Sequence, residues 1–490
     1  MKYIKYLSIL TFVFLMPIVE CSIKGTIFRK FNAARHGIIS LFYKMQQTTK
    51  EKYEPLKTQE NFNSIAGMAS AKEDLQEIIN VFNNPEKFQH RAVKLPRGIV
   101  LIGDSGNGKT AVARTIAGET KHPFFMISGE IAENFSNIKE LSEVLKKQAP
   151  CILFIDSLDK APNTKITELF HELDEHDHTK KPIIILGAMG NMHACHPHGG
   201  PQEGNNNNQL FKSGRFEQQI HIEYPDLQER KEIIAMYLKN ISIAENISIE
   251  HVAKITYGFS IAEIIKFISK ASLLSLQKNK TAIDINDFEE AHDRMLFGKK
   301  DENAFFSQEQ KKLVAYHEAG HALILLLTEN KYNSLHKVSI VSRDHFLGAT
   351  FYLSENEKAH LRLKEDLEKR IMMAFGGHAA EELVFGTVSN GAGSDFINAT
   401  LIITNMIMHF GMSDAVGKIF AYFSRSEHMA KIIDEELQKM AQLYYQKTKK
   451  LLIDNREKLD LLAVKLLEKE TLYADEVYQL LNMNPPVKTI

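Results

Sequence analysis

An apolar run, Gly98-Ile-Val-Leu-Ile102, passes without a spacer into Gly103-Asp-Ser-Gly-Asn-Gly-Lys-Thr110, which opens a helix-forming stretch from Ala111 to Gly118. Strand, glycine-rich turn and helix in that order, with the pattern G-x-x-x-x-G-K-[ST], make a phosphate-binding loop. Gly103, Gly106 and Gly108 let the backbone N–H groups around Asp104, Ser105 and Asn107 curl round phosphate oxygens at a helix N-terminus. Lys109 adds a point charge toward the outer phosphates, and the Thr110 hydroxyl is placed to ligate Mg²⁺. A second apolar run, Cys151 to Ile155, ends on Asp156, whose carboxylate would hold the same ion in an ATP complex.

Around that loop, from about Asn61 to Tyr224, short continuous apolar runs such as Ile183-Ile-Ile-Leu186 alternate with amphipathic stretches. Strands apolar on both faces belong to a mostly parallel sheet covered by helices. Between Ala194 and Gly214 the chain is rich in His, Gly, Pro and Asn and reads as a long loop. From Leu227 to about Lys300 the pattern turns helical, and Ser260-Ile-Ala-Glu263 is a capping box that opens a helix just after Gly258. Lys299-Lys-Asp-Glu-Asn303 reads as a linker, and the pattern beyond it is helical except at Val338-Ser-Ile-Val341 and Ala349-Thr-Phe-Tyr352.

A chain of 490 residues exceeds one core and suggests about three domains. Lys+Arg 60 against Asp+Glu 61 leaves no basic field, so nucleic acid is not an expected partner. Three scattered cysteines exclude a disulfide framework and point to a reducing compartment. Tyr6 to Val19 is uncharged and mostly apolar, but short for a spanning helix of about 20 residues. It reads as a short membrane anchor, a cleaved signal or targeting peptide, or a buried helix. Lys24, Arg29, Lys30, Arg35 and Lys44 follow it while only Lys2 and Lys5 precede it, which favours an anchor whose C-terminal side faces the cytoplasm.

His317-Glu-Ala-Gly-His321 is an H-E-x-x-H pattern inside an apolar helical stretch from about Leu313 to Leu327. The i, i+4 spacing puts both imidazoles on one helix face, where they can share a Zn²⁺ while Glu318 reaches its water as a base. A catalytic zinc needs a third protein ligand, and spacing alone leaves Glu381, Glu382, His378 and Asp395 open. His193, Cys195, His196 and His198, like His171, His176 and His178, fit no metal-site spacing, and Cys151 in its strand is expected to be inert.

Together these motifs resemble the membrane-anchored AAA+ zinc proteases of the FtsH type, over roughly Asn61 to Leu481, including the lid signature Tyr257-Gly-Phe-Ser260. The resemblance implies an α/β P-loop AAA+ domain with a helical lid, followed by a mainly α-helical zinc metallopeptidase domain. It divides the chain into an anchor or signal at 1–22, a juxtamembrane segment at 23–57, and the nucleotide-binding domain at 58–226. The lid follows at 227–300, the peptidase at 301–484 and a tail at 485–490. Zn²⁺, ATP and Mg²⁺ are the implied cofactors. Asp395, in Gly391-Ala-Gly-Ser-Asp395 against the family's G-A-S-N-D, becomes the third zinc ligand.

Departures gather in the ATPase. Ile155-Asp-Ser-Leu-Asp159 stands against I-D-E-I-D, so Ser157 replaces the glutamate that orients the attacking water. Lys212-Ser-Gly-Arg-Phe-Glu217 keeps Arg215 as a trans-acting finger but turns its companion arginine into Lys212, which lacks the planar fork. Phe135 matches the pore-loop aromatic, with the glycines after it reduced to Ser136-Asn137. The sensor A-A-T-N is matched by Gly187-Ala-Met-Gly190, leaving Asn191 one place late. The family's extracytoplasmic domain between two spans has no counterpart in the sequence.

The expectation is a zinc endopeptidase for unfolded or membrane-associated proteins, attached to a membrane through its N-terminus, with its catalytic domains on the cytoplasmic or a matrix-like side. It would work as a homo-hexamer, or as a hetero-oligomer with an active sibling subunit, and hydrolyse ATP weakly or not at all. Its rivals are a non-proteolytic AAA+ remodeller and a non-catalytic assembly subunit.

Overall fold

The computed structural model describes residues 53–56, 58–84, 96–120, 122–131, 135–174, 176, 181–190, 215–301, 307–328, 333–344, 346–354, 361–421 and 426–485. The apolar runs β1 (Gly98–Ile102), β2 (Phe124–Ser128), β3 (Cys151–Asp156), β4 (Ile183–Met189) and the short β5 (Gln218–His221) form a parallel sheet in the order β2-β3-β4-β1-β5. Helices α1 (Ala69–Asn83) and α2 (Lys109–Thr120) cover one face through Leu75, Phe82 and Ile116. Helices α3 (Ile138–Gln148) and α4 (Asn163–Leu173) cover the other through Leu141, Leu145 and Ile166. Every residue of β4 is buried, as its unbroken apolar run requires. β5 lies at the sheet edge and buries only Ile220, so its polar sequence carries no strand signal.

Four helices follow: α5 (Leu227–Leu238), α6 (Ile249–Ile255), α7 (Ile261–Gln277) and α8 (Ile285–Leu296). They enclose their own core around Ile234, Ile264, Phe267 and Phe288. The capping box Ser260/Glu263 forms as the sequence indicates, and Asp226/Glu229 and Asp284/Asp287 repeat it on α5 and α8.

The remainder is mainly helical: α9 (Gln308–Leu327), α10 (Lys364–Phe385), α11 (Gly393–Met408), α12 (Glu427–Asp454), α13 (Arg456–Lys469) and α14 (Ala474–Leu480). A small antiparallel sheet, β6 (Asn333–Ser339), β7 (Ala349–Ser354) and β8 (Thr471–Tyr473), is ordered β7-β6-β8. α9 packs between α10 and α13, and α10 also meets α11 and α12. A Cβ on Gly320 of α9 would stand 2.3 Å from the Gly376 carbonyl oxygen of α10, so the two helices cross nearly backbone to backbone.

Helix α8 joins the four-helix unit to the C-terminal region through charge. Lys337 Nζ of β6 reaches Glu289 Oε2 at 2.6 Å and Asp293 Oδ1 at 2.7 Å, and Arg343 Nη2 reaches Glu290 Oε2 at 2.6 Å and Asp293 Oδ2 at 3.1 Å. Lys337 is only 2% exposed. Removing one partner from a buried pair leaves an uncompensated charge, which makes this seam costly to break. Among the described residues no helix is long and apolar enough to cross a membrane, and the candidate anchor Tyr6 to Val19 lies outside them.

A methyl group at the helix crossing has nowhere to go. Gly320→Ala is expected to destabilise the C-terminal helical region by about 1–3 kcal/mol, the usual cost of overpacking. Denaturant melts of the two proteins check this, and an unchanged midpoint would show that the crossing yields freely.

Candidate functional site

The H-E-x-x-H segment lies in the middle of α9 and faces α10 and α11. His317 Nε2 and His321 Nε2 are 3.0 Å apart, and each is 3.4 Å from Asp395 Oδ2 at the start of α11. Ligands held about 2.0–2.2 Å from a tetrahedral zinc stand roughly 3.3–3.5 Å from one another, so the two imidazoles and the carboxylate suit that ion. Thr350 Oγ1 of β7 donates to Glu318 Oε2 at 2.8 Å and fixes the carboxylate between the imidazoles in sequence.

A surrounding set of groups aims the two rings. His321 Nδ1 donates to the Met373 carbonyl at 2.7 Å, which leaves Nε2 unprotonated and able to ligate. His317 Nδ1 meets Glu381 Oε1 at 2.6 Å, and Glu381 in turn accepts from Ser389 N–H at 2.6 Å and Ser389 Oγ at 3.0 Å. Glu381 is fully buried, so this arrangement is closed to solvent. A Cβ on Gly377 would sit 2.5 Å from His317 Nε2, so glycine there makes room for the ring.

Burial alone would pull His317 down, but Asp395 and Glu381 outweigh it and raise the imidazole to about 10. Asp395 is itself pushed up by burial, yet the two imidazoles hold it well below the usual carboxylate range. Positive charge is wanted at this point, whether as protons or as a metal.

Of the four ligand candidates left open by spacing, Asp395 stands with the histidines and Glu381 stands behind one of them. His378 and Glu382 are turned elsewhere: His378 Nδ1 and Glu382 Oε2 meet at Tyr445 Oη, 2.9 and 2.5 Å away, and Lys449 Nζ is 2.9 Å from Glu382 Oε1.

In the α/β domain a cavity of about 640 Å³ opens over the phosphate loop, lined by Ser105, Gly106, Gly108, Lys109 and Thr110 and by Asp156, Ser157 and Asp159. Gly106 and Gly108 adopt φ of 91° and 87°, which the curl of the loop requires. Asn107 is buried beneath it, while Gly103 and Asp104 offer their carbonyls to Lys109 Nζ at 2.6 and 2.9 Å. Burial lowers the Lys109 ammonium, against the pull of Asp156, Asp104 and Asp159. Thr110 Oγ1 is 3.4 Å from Asp156 Oδ2, close enough for both to serve one hexacoordinate Mg²⁺, directly or through its water. Ser157 lines the cavity from a left-handed backbone, φ 56° and ψ 53°.

The other sequence expectations fare differently. Phe135 is 1% exposed and packs with Leu141 and Ile155 in the sheet core, so the pore-loop reading is corrected: an aromatic that grips a polypeptide must present its ring. Arg215 is not among the lining residues of its own chain's cavity. Lys212, Asn191 and the histidine-rich stretch around His193 to His198 lie outside the described residues. Burial pushes the Cys151 thiol up to about 12, which makes it inert.

Residues 304–480 match the model of peptidase family M41, and residues 99–200 match the ATPase family associated with various cellular activities (AAA). The ATP-dependent zinc metalloprotease FtsH 2 of Methylacidiphilum infernorum is 33% identical over 470 residues, covering 88% of this chain and 71% of the relative. FtsH of Parabacteroides distasonis is 35% identical over 447 residues, covering 85% and 63%. FtsH of Thermotoga maritima is 33% identical over 457 residues, covering 86% and 73%.

Two outcomes follow from the geometry. Glu381→Gln weakens the hydrogen bond that aims His317, so zinc affinity measured against a competing chelator should fall about 10–100-fold; retention equal to wild type would remove Glu381 from the site. Because the metal-free His317 keeps its proton up to about pH 10, above its ordinary 6.5, zinc uptake at neutral pH releases that proton. Apparent affinity should therefore rise about tenfold per pH unit between pH 7 and 9, and a flat profile by titration calorimetry would contradict it.

Proposed function

The chain belongs to the FtsH-type ATP-dependent zinc metalloproteases, and we propose that it cleaves unfolded or membrane-associated polypeptides at the centre formed by His317, His321 and Asp395. The observation that carries this reading is the triangle of ligand atoms 3.0–3.4 Å on a side, with Glu318 on the same helix. A zinc ion held there supplies Lewis acidity, polarising the scissile carbonyl and lowering the pKa of water toward about 7. Glu318 takes the proton of the attacking water, with Thr350 holding its other oxygen so that the carboxylate keeps its aim. Glu381 and the Met373 carbonyl keep the imidazoles turned inward. β7 is the outer strand of its sheet and carries Thr350 beside Glu318, so an extended substrate backbone can add to it next to the reacting groups. Folded polypeptides cannot offer that edge, which accounts for the substrate class.

Mg²⁺-ATP binds at Lys109, Thr110 and Asp156, but its hydrolysis is slow or absent because Ser157 cannot accept a proton with the basicity of a carboxylate. Asp159 lines the same cavity, from the position of the motif's second aspartate. Arg215 acts across a subunit boundary, in a homo-hexameric ring or in a mixed ring whose sibling subunit supplies turnover. Tyr6 to Val19 attaches the assembly to a membrane.

Glu318→Gln keeps both imidazoles and so should retain zinc while losing about 10²–10⁴-fold in casein cleavage. Cleavage that persists would sink the peptidase reading, and ATP turnover without any cleavage in wild type would favour a remodeller. Ser157→Glu should raise steady-state ATP hydrolysis by at least tenfold, and a wild type already hydrolysing as fast as the variant would remove Ser157 as the limiting residue.

A further inference from the structure

A second set of ligand atoms converges where the lid meets the peptidase. His251 of α6, Glu289 of α8 and His336 of β6 bring one donor atom each within 4.8 Å of one another. His251 Nε2 is 3.2 Å and His336 Nε2 3.0 Å from the same oxygen, Glu289 Oε1, and the two rings lie 5.5 Å apart.

Regular strand geometry does not produce this meeting. Successive residues of a strand point to opposite faces, yet His336 and Lys337 both reach Glu289. They can because the register of β6 against β7 shifts between Leu335 and Lys337, a bulge of the kind that re-aims a side chain. Lys337 Nζ takes the other oxygen, Oε2, at 2.6 Å and is shared with Asp293; His336 Nε2 also approaches Oε2 at 3.2 Å, while Oε1 is the oxygen both imidazoles reach.

We propose that His251, Glu289 and His336 bind a divalent cation of the zinc type, which staples the lid to the peptidase. Two imidazoles and a carboxylate are a ligand set that zinc accepts, and the separations of 3.0 and 3.2 Å approach the roughly 3.3–3.5 Å edge of its tetrahedron. The His251 side chain is 36% exposed, which gives the ion a path in and a place for a water as fourth ligand. No residue is shared with the triangle of His317, His321 and Asp395. An ion that binds only when β6 is docked on α6 and α8 stabilises the docked arrangement by mass action.

Metal counting on the full chain tests this. After saturation with zinc and removal of loosely held ion on a weak chelating resin, wild type should retain two zinc ions per chain, His317→Ala one, His251→Gln one, and the double variant none. Glutamine keeps an N–H donor for Glu289 but is a poor zinc ligand, and the partly exposed position lets the variant fold. Zinc added to the metal-free His317→Ala protein should raise its Tm, and His251→Gln should erase the rise. A single zinc in wild type that His317→Ala removes, or a second that survives both His251→Gln and His336→Gln, overturns the proposal. Failure of the peptidase centre would appear instead as a count unaffected by His317→Ala.

Discussion

The near contact of α9 and α10 at Gly320 and Gly376 is the constraint on which the peptidase rests. It brings the backbone of α10 close enough for the Met373 carbonyl to fix His321 and for Glu381 to fix His317, while Gly377 leaves space for the ring between them. Side chains any larger at the crossing would part the helices, and both imidazoles would lose their orienting partners together. The same approach brings the first turn of α11 within reach, so Asp395 completes the triangle from a third element. Helix packing and metal chemistry are therefore one problem in this half of the molecule.

Much of this was legible in the sequence because it is local. The phosphate loop and the H-E-x-x-H pair each depend on residues within about two turns, where spacing dictates geometry. The fold class followed from apolar runs that are buried on both faces in β4 and on every side in the second half of α9. The third ligand was not legible from spacing, since Glu381, Glu382, His378 and Asp395 differ only in how α10 and α11 turn. Family resemblance pointed to Asp395, and the helix packing explains why Glu381 supports the site instead of ligating. β5 was missed because an edge strand can be polar. Phe135 was taken for the pore-loop aromatic from its match to the family motif, which carries no information on burial, and the structure places it in the sheet core. His251, Glu289 and His336 gave no signal, because only a bulge brings them together.

On the proposed function, the two modules are unequally equipped. In the peptidase, the proposed ligands, the proposed base and the groups that orient them all stand together. The nucleotide module sets Thr110 and Asp156 side by side, and lines the same cavity with Ser157, the residue that stands where the family motif has glutamate. Binding and turnover are separable demands on such a cavity: binding needs charge and N–H groups in place, whereas turnover needs a base of matched strength. The lid already touches the phosphate loop, where Ala262 N–H donates to the Gly106 carbonyl at 3.0 Å.

The ionic seam between α8 and β6 has a further effect. Dissolved ions weaken attractions between charges in the open, but pairs withdrawn from water feel little of that screening. With Lys337 sealed between Glu289 and Asp293, the elbow of the protomer should keep its stiffness in dilute and briny surroundings alike. Any push delivered by the lid would then arrive at the cutting half undamped.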